Sequence, residues 1–227
     1  MTSDVTAWEE LREAVGVHGR GFISGWRKGQ PTETALGDRA KVLQLPGVES
    51  VQILSPKDKK DSTPNVYSGV FGLDSFPLHT DLAHWFRPPR YLALRLVSGG
   101  GRVATRVADG RELIDSIGSD RLAGAIVQPR RPIANRRPLM RLLERIPGPG
   151  FLLRWDEVFL VPGSPRSASV FARVGDALST MDVGEVTWSE PGDTLVIDNW
   201  RMLHGRAPVP PEARNRIIER VYLGELH

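Results

Sequence analysis

The hydrophobic pattern is sharpest over residues 90–97, where Leu92, Leu94 and Leu96 fall on one side and Tyr91, Ala93, Arg95 and Val97 on the other. A period of two sends successive side chains to opposite faces of a strand, so this stretch predicts a strand with one strongly apolar face. Gly99-Gly100-Gly101 breaks it, and residues 102–108 predict its partner strand. Apolar, turn-bounded runs predict further strands at 48–54, 151–155, 158–161, 183–188, 194–198 and 217–223. The helical period occurs less often. Trp8, Leu11 and Val15 share a face over residues 5–17, and Leu113 and Ile117 share one over 109–117. Residues 38–45 carry a weak helical pattern. In 138–146, Leu139, Leu142, Leu143 and Ile146 fit i, i+3, i+4, i+7, with Arg141, Glu144 and Arg145 on the other face, which predicts an amphipathic helix. Residues 55–64, polar with a proline near each end, predict an exposed loop. With no linker, repeat or heptad run, residues 1–227 are expected to form a single domain, mainly β with a few helices (α+β).

Composition narrows the chemistry. The chain has 227 residues, 40 % hydrophobic and 25 % charged, enough to bury a sizeable core, and its Gly 23 and Pro 18 suit a turn-rich fold. It has no cysteine, so a disulfide framework, a thiolate metal site and a cysteine nucleophile are excluded. Any metal must be held by Asp, Glu or the five histidines. The acidic start (Asp4, Glu9, Glu10) lacks a targeting pattern and no run of 18 apolar residues occurs, so no membrane association and a cytoplasmic location are expected. The pI of about 9.5 invites a nucleic-acid reading. Acidic residues are interspersed with the basic ones, however, and the net charge is only +3, which argues for a mixed solvated surface.

The chemistry is carried by Phe76-Pro-Leu-His79-Thr-Asp81. His79 and Asp81 are two apart, hence on one face of an extended chain, where an imidazole and a carboxylate can meet one Fe(II), Mn(II) or Zn(II) ion. A third ligand must come from a distant strand. The segment from Gly192-Asp-Thr-Leu-Val-Ile-Asp-Asn to Leu203-His204-Gly-Arg206 offers a turn, an apolar strand and a histidine. Two histidines and one carboxylate occupy one face of an octahedron and leave three positions open for a bidentate cosubstrate and O2.

Together these segments, with the Pro-Pro-Arg-Tyr-Leu-Ala-Leu strand, Thr105-Arg-Val-Ala-Asp109 after the glycine turn and Arg216-Ile-Ile-Glu-Arg220, resemble the Fe(II)/2-oxoglutarate-dependent dioxygenases of the taurine dioxygenase and clavaminate synthase-like group, over roughly residues 78–223. The resemblance implies a double-stranded β-helix (jelly roll) with flanking helices. It implies His79, Asp81 and His204 as iron ligands, and Arg216 as the partner of the distal 2-oxoglutarate carboxylate, for which a planar, permanently charged guanidinium suits. Thr105 is implied as a further cosubstrate contact, with Arg102 as the alternative because the glycine turn and the threonine are further apart than the family usually has them. Family halogenases replace the carboxylate ligand with a small residue, so the presence of Asp81 implies oxygenation. The implied cofactors are Fe(II), 2-oxoglutarate and O2, and the implied reaction is oxidation of an unactivated C–H bond with release of succinate and CO2.

The substrate is expected to be a small molecule, an amino acid or an amino-acid-derived metabolite. Arg220, four residues from Arg216 and so on the same strand face, is expected to hold its acidic group, and Trp85 and Trp200 to line its site beside His84. Asp198 is a candidate to orient an imidazole, and Trp155, Asp156 and Glu157 are candidates to meet a cationic group. Arg130, Arg131, Arg136 and Arg137 keep a nucleotide or nucleic-acid substrate as the alternative, and a metal-binding jelly roll without oxygenase activity is the reading from another class.

Overall fold

A computed structural model describes residues 4–99, 101–147 and 150–227. The chain opens with α1 (Asp4–His18), β1 (Arg20–Ile23), α2 (Thr32–Gly37), β2 (Ala40–Val42), β3 (Gln52–Leu54), α3 (Tyr67–Phe71) and β4 (Phe76–His79). Then come β5 (Tyr91–Ser98), β6 (Gly101–Asp109), α4 (Gly110–Ile117) and α5 (Ser119–Gly124). Five short strands follow: β7 (Ile126–Pro129), β8 (Met140–Arg141), β9 (Leu143–Arg145), β10 (Phe151–Leu153) and β11 (Leu160–Pro162). The chain ends with α6 (Pro165–Thr180), β12 (Gly184–Trp188), β13 (Thr194–Asp198), β14 (Met202–Arg206) and β15 (Ile217–Leu226).

Two antiparallel sheets organise these elements. The larger runs β1-β13-β5-β15-β2, with β3 also paired to β15, and the smaller runs β12-β6-β14-β4. Their inner faces share one core, in which Leu92, Leu94, Leu195, Ile197 and Ile218 of the larger sheet meet Val107, Trp188 and Met202 of the smaller. The alternation along β5 is realised as the sequence predicts. Leu92, Leu94 and Leu96 face this core, while Ala93 joins Trp8, Leu11 and Val15 of α1 on the sheet's outer face. The smaller sheet's outer face, through Ala108 and Leu203, is covered by α4–α6 and the short strands. A helix-sheet-sheet-helix stack results, with the central strands of each sheet covered on both faces. No helix among the described residues is long and apolar enough to cross a membrane.

Several expectations are corrected. Strand β6 does not pair with β5: after the glycine turn it crosses to the other sheet and pairs with β12 and β14. Gly99, at φ +72°, starts that crossing, and Gly100 lies outside the described residues. The helix expected at 138–146 is instead β8 and β9. Its backbone is drawn into inter-strand bonding, Leu142 N–H donating to Ala125 O and Leu142 O accepting from Arg154 N–H, and tertiary pairing overrides a nine-residue helical pattern. At 38–45 the helix lies earlier, at α2, and β2 follows it. The strand expected over 48–54 shrinks to β3. Helix α6 was not anticipated, although its start carries a cap signal: Ser164 accepts from Ser167 N–H, and Pro165 stands at the first helical position.

Candidate metal centre and active-site cavity

His79 ends β4 and is the cross-strand partner of His204 in β14, so the smaller sheet's register alone brings two imidazoles together, ring centroids 4.6 Å apart. Asp81 lies two residues past the strand end, in a turn where Leu82 takes φ 54°. That left-handed backbone is uncommon for a branched residue, and the surroundings hold it in place. Thr80 exchanges bonds with Trp155, its N–H donating to Trp155 O and its hydroxyl accepting from Trp155 N–H. The Asn199 amide clamps both sides of Asp81, accepting from its N–H at 2.7 Å and donating to its carbonyl at 3.0 Å. Asp81 Oδ1 therefore sits 3.4 Å from His79 Nε2 and 3.5 Å from His204 Nε2. All three side chains are buried, and their donor atoms lie within 4.8 Å of one another.

This donor set fits a divalent transition metal. His79 Nδ1–H donates to Pro77 O at 2.9 Å, which leaves the Nε2 lone pair free to point inward. The outer carboxylate oxygen, Asp81 Oδ2, is taken by Arg220 Nη1 at 2.8 Å and Tyr222 OH at 3.1 Å, so only Oδ1 is presented. Burial pushes the Asp81 carboxyl up, but Arg220 and His204 outweigh it and hold it well below the usual carboxylate range. Burial likewise favours neutral imidazoles. It lowers His204, while at His79 the carboxylate of Asp81 overcomes it and leaves a raised value.

A cavity of about 1120 Å³ opens onto these ligands. On one wall, Thr105 and Arg206 are cross-strand partners and Arg216 lies beside them. Arg216 is 6 % exposed and has no carboxylate partner among the described residues; Nη1 donates to Val103 O and Nε is unpaired. Burial pushes it down to about 10. Burial and Arg216 together bring Arg206 to about 10 as well, its guanidinium lying 3.6 Å over the Phe76 ring. Both guanidiniums line the cavity, Arg206 giving Nη2 to Gly72 O and Asp74 O, and the Thr105 hydroxyl, which accepts from Trp188 Nε1, keeps its own proton to donate. The side chain of the alternative contact, Arg102, lies outside the described residues.

Asp156, 2 % exposed, also lines the cavity. Its Oδ1 accepts from Val158 N–H and Phe159 N–H, and it has no ion-pair partner among the described residues. Burial raises its carboxyl. Tyr67 stacks on the His79 ring at 4.3 Å, and burial with the nearby Asp156 pushes its phenol up.

Three expected substrate residues need correction. Arg220 lines the cavity but is not free for a substrate acid, because it is committed to Asp81 and, through Nη2, to Gln52 Oε1 at 2.7 Å. Trp200 does not line the cavity: the tight turn after β13 aims Asn199 inward, while Trp200 Nε1 donates to Pro88 O beneath Arg87 and Arg90. Trp85 is also absent from the lining, its carbonyl tied to Arg154 Nη1, whereas His84 lines the cavity. Asp198 contacts neither histidine and instead accepts from Trp200 N–H and Arg90. Sequence reading missed Asn199, Tyr222, Tyr67 and Arg206; only Asn199 and Arg206 stood inside motifs already singled out.

No family model matches the chain. Among solved structures it is similar to asparagine oxygenase in complex with Fe(II), 2S,3S-3-hydroxyasparagine and succinate, at TM-score 0.71 and 18 % identity over 96 % of this chain and 79 % of that one. The non-heme iron oxygenase OrfP in complex with Fe, succinate and (3S)-hydroxy-L-Arg gives TM-score 0.68 and 21 % identity, over 98 % and 80 %. PvcB from Pseudomonas aeruginosa gives 0.68 and 18 %, over 98 % and 82 %. The chain therefore shares the fold of these three proteins. In sequence, 73 residues are 36 % identical to clavaminate synthase 2 of Streptomyces clavuligerus, a match spanning 31 % of this chain and 22 % of that enzyme's length.

Proposed function

We propose that this chain is a single-domain Fe(II)- and 2-oxoglutarate-dependent oxygenase that hydroxylates an unactivated C–H bond of an amino acid or amino-acid-derived small molecule, with release of succinate and CO2. The observation that carries this reading is the convergence of His79 Nε2, His204 Nε2 and Asp81 Oδ1 at the floor of a cavity whose wall holds an unpaired, buried Arg216. The two facing antiparallel sheets are read as a double-stranded β-helix.

Bound at the three ligands, Fe(II) with 2-oxoglutarate supplies the O2-dependent oxidising power that couples decarboxylation to attack on a C–H bond. The chain's own contribution is positioning. Arg216 and Thr105 hold the distal cosubstrate carboxylate; Arg220 and Tyr222 keep Asp81 monodentate; Tyr67 walls off one side of His79. Asp156, a buried carboxylate without a cation, is read as the anchor for the substrate's amino group, and Asp156→Asn is expected to raise KM at least tenfold with a smaller change in kcat. The oxygenases of similar fold named above were solved with hydroxylated asparagine and arginine, which supports an amino-acid skeleton.

The decisive experiment is anaerobic titration of the Fe(II) protein with 2-oxoglutarate, following the weak visible charge-transfer band of a chelated keto acid. The band is expected to form, and Arg216→Ala to weaken 2-oxoglutarate binding at least tenfold. A folded, iron-loaded protein without the band refutes the oxygenase reading and favours a jelly roll that only binds metal.

A further inference from the structure

The mouth of the cavity is unlike its floor. Ile53 (67 % exposed), Leu54, Val66, Val70 and Ile133 are all large apolar side chains exposed to solvent, and all five line this one cavity. They come from three separate stretches of chain: β3, the segment around α3 and the loop after β7. Pro56, Pro64 and Pro132 stiffen the same rim. Scattered exposed hydrophobics need no explanation, but a ring of them around one opening marks a surface that apolar material covers.

The same rim is basic. Lys57, Arg130 and Arg131 are exposed and line the cavity, and Glu157 is the one exposed acid that does so among the described residues. At about 1120 Å³ the cavity has room for a cosubstrate on the Arg216 wall and for a second ligand that reaches the rim.

Building on the oxygenase reading, we propose that the substrate is an elongated amphiphile: a compact head oxidised at the metal, an apolar chain running out between Ile53, Leu54, Val66 and Ile133, and an anionic outer end held by Lys57, Arg130 and Arg131. No free proteinogenic amino acid combines such a chain with an outer anion.

The test uses three soluble probes titrated calorimetrically into the full chain, without added iron or 2-oxoglutarate: octanesulfonate, butanesulfonate and octylammonium. Burying one methylene contributes about 0.8 kcal/mol, about fourfold in affinity, so octanesulfonate is expected to bind at least ~tenfold tighter than butanesulfonate even with its chain partly covered. Ile53→Ser with Ile133→Ser, both at exposed positions that a polar residue tolerates, is expected to remove at least ~fivefold of that affinity. Lys57→Gln with Arg131→Gln is expected to narrow the preference for the sulfonate over the ammonium at least ~threefold, the remainder coming from Arg130 and the inner Arg206 and Arg216; an unchanged preference overturns the outer anion. Equal affinity for the two chain lengths, or octanesulfonate binding unchanged in the double serine variant, overturns the proposal and leaves the apolar rim as the inner face of a lid. Because the titration needs no metal, it fails independently of the parent reading. A flat probe series beside a normal charge-transfer band refutes only the amphiphile, and a graded series without the band refutes only the oxygenase.

Discussion

Asp81 is held by more partners than any other group at the metal centre. Its backbone is fixed by Asn199, its outer oxygen by Arg220 and Tyr222, and its inner oxygen faces both imidazoles. The sign of the electrostatics sets a test. Metal binding requires the carboxylate, and burial opposes the carboxylate, so its persistence into acid depends chiefly on Arg220. Arg220→Gln removes that cation and lets burial raise the Asp81 carboxyl. Fe(II) affinity is expected to fall about 10–100-fold at neutral pH, with the acid-side loss of binding displaced to higher pH than in the parent. Tyr222→Phe removes a neutral hydrogen bond only, so the loss should stay under about tenfold with the pH profile unmoved. Affinities measured anaerobically between pH 5.5 and 7.5 separate the two variants; identical profiles would show that Arg220 acts by shape and not by charge. The three ligands were legible in the sequence because metal chemistry restricts residue type and spacing. The role of Arg220 was not, since a strand period places a guanidinium on a face without saying which carboxylate on that face it reaches.

Among the elements, legibility followed the quality of the period. Strand β13 matches the expected bounds, and β5 and α4 match within a residue or two, because a turn-bounded apolar run, a period of two and a shared helical face marked them. Residues 138–146 had an equally good helical pattern and became strands, since short apolar runs fit either state until a neighbour supplies the missing hydrogen bonds. The turn before β13 shows how one residue can set an element's position. Asp193, fully buried, accepts from Ser24 Oγ, Gly25 N–H, Ser189 N–H and Glu190 N–H, and so ties the end of β1 to the start of β13. Burial raises its carboxyl, but these four donors outweigh it and leave the value lowered. A carboxyl lowered in the folded state contributes stability that is complete above its unfolded pKa of about 3.9 and disappears as pH falls through the folded value. Asp193→Asn turns an amide N–H₂ toward groups that are themselves donors. It is expected to cost about 2–3 kcal/mol in urea unfolding at pH 7, with the gap to the parent closing below about pH 4. A gap that stays constant down to pH 3 would place the effect in packing and not in charge.

Across the whole molecule, the two sheets divide the work of the site. His79 and His204 belong to the smaller sheet, with Asp81 just beyond its β4 edge and Thr105 and Arg206 on its inner face; Arg220 and Tyr222 belong to the larger sheet, and Arg216 directly precedes its strand β15. On the proposed reading a metal ion would engage one sheet and its turn, whereas a cosubstrate held at Arg216 would bridge the two sheets. Ligands that bind only the folded state stabilise it by mass action, about 2.7 kcal/mol at a hundredfold excess over Kd, which for a chain of this size corresponds to roughly 5–10 °C in Tm. Anaerobic Fe(II) is therefore expected to raise Tm by about that amount, and 2-oxoglutarate to add a second increment only when iron is present. His204→Ala should abolish both increments, because the keto acid has no metal to chelate. Arg216→Ala should keep the iron increment and lose most of the second, because the damage lies on the other sheet. Thermal scans of the three proteins, with and without each ligand, test the assignment of both residues at once. If 2-oxoglutarate stabilises His204→Ala as fully as the parent, the keto acid is held by the arginine wall alone and the three ligands do not form its site.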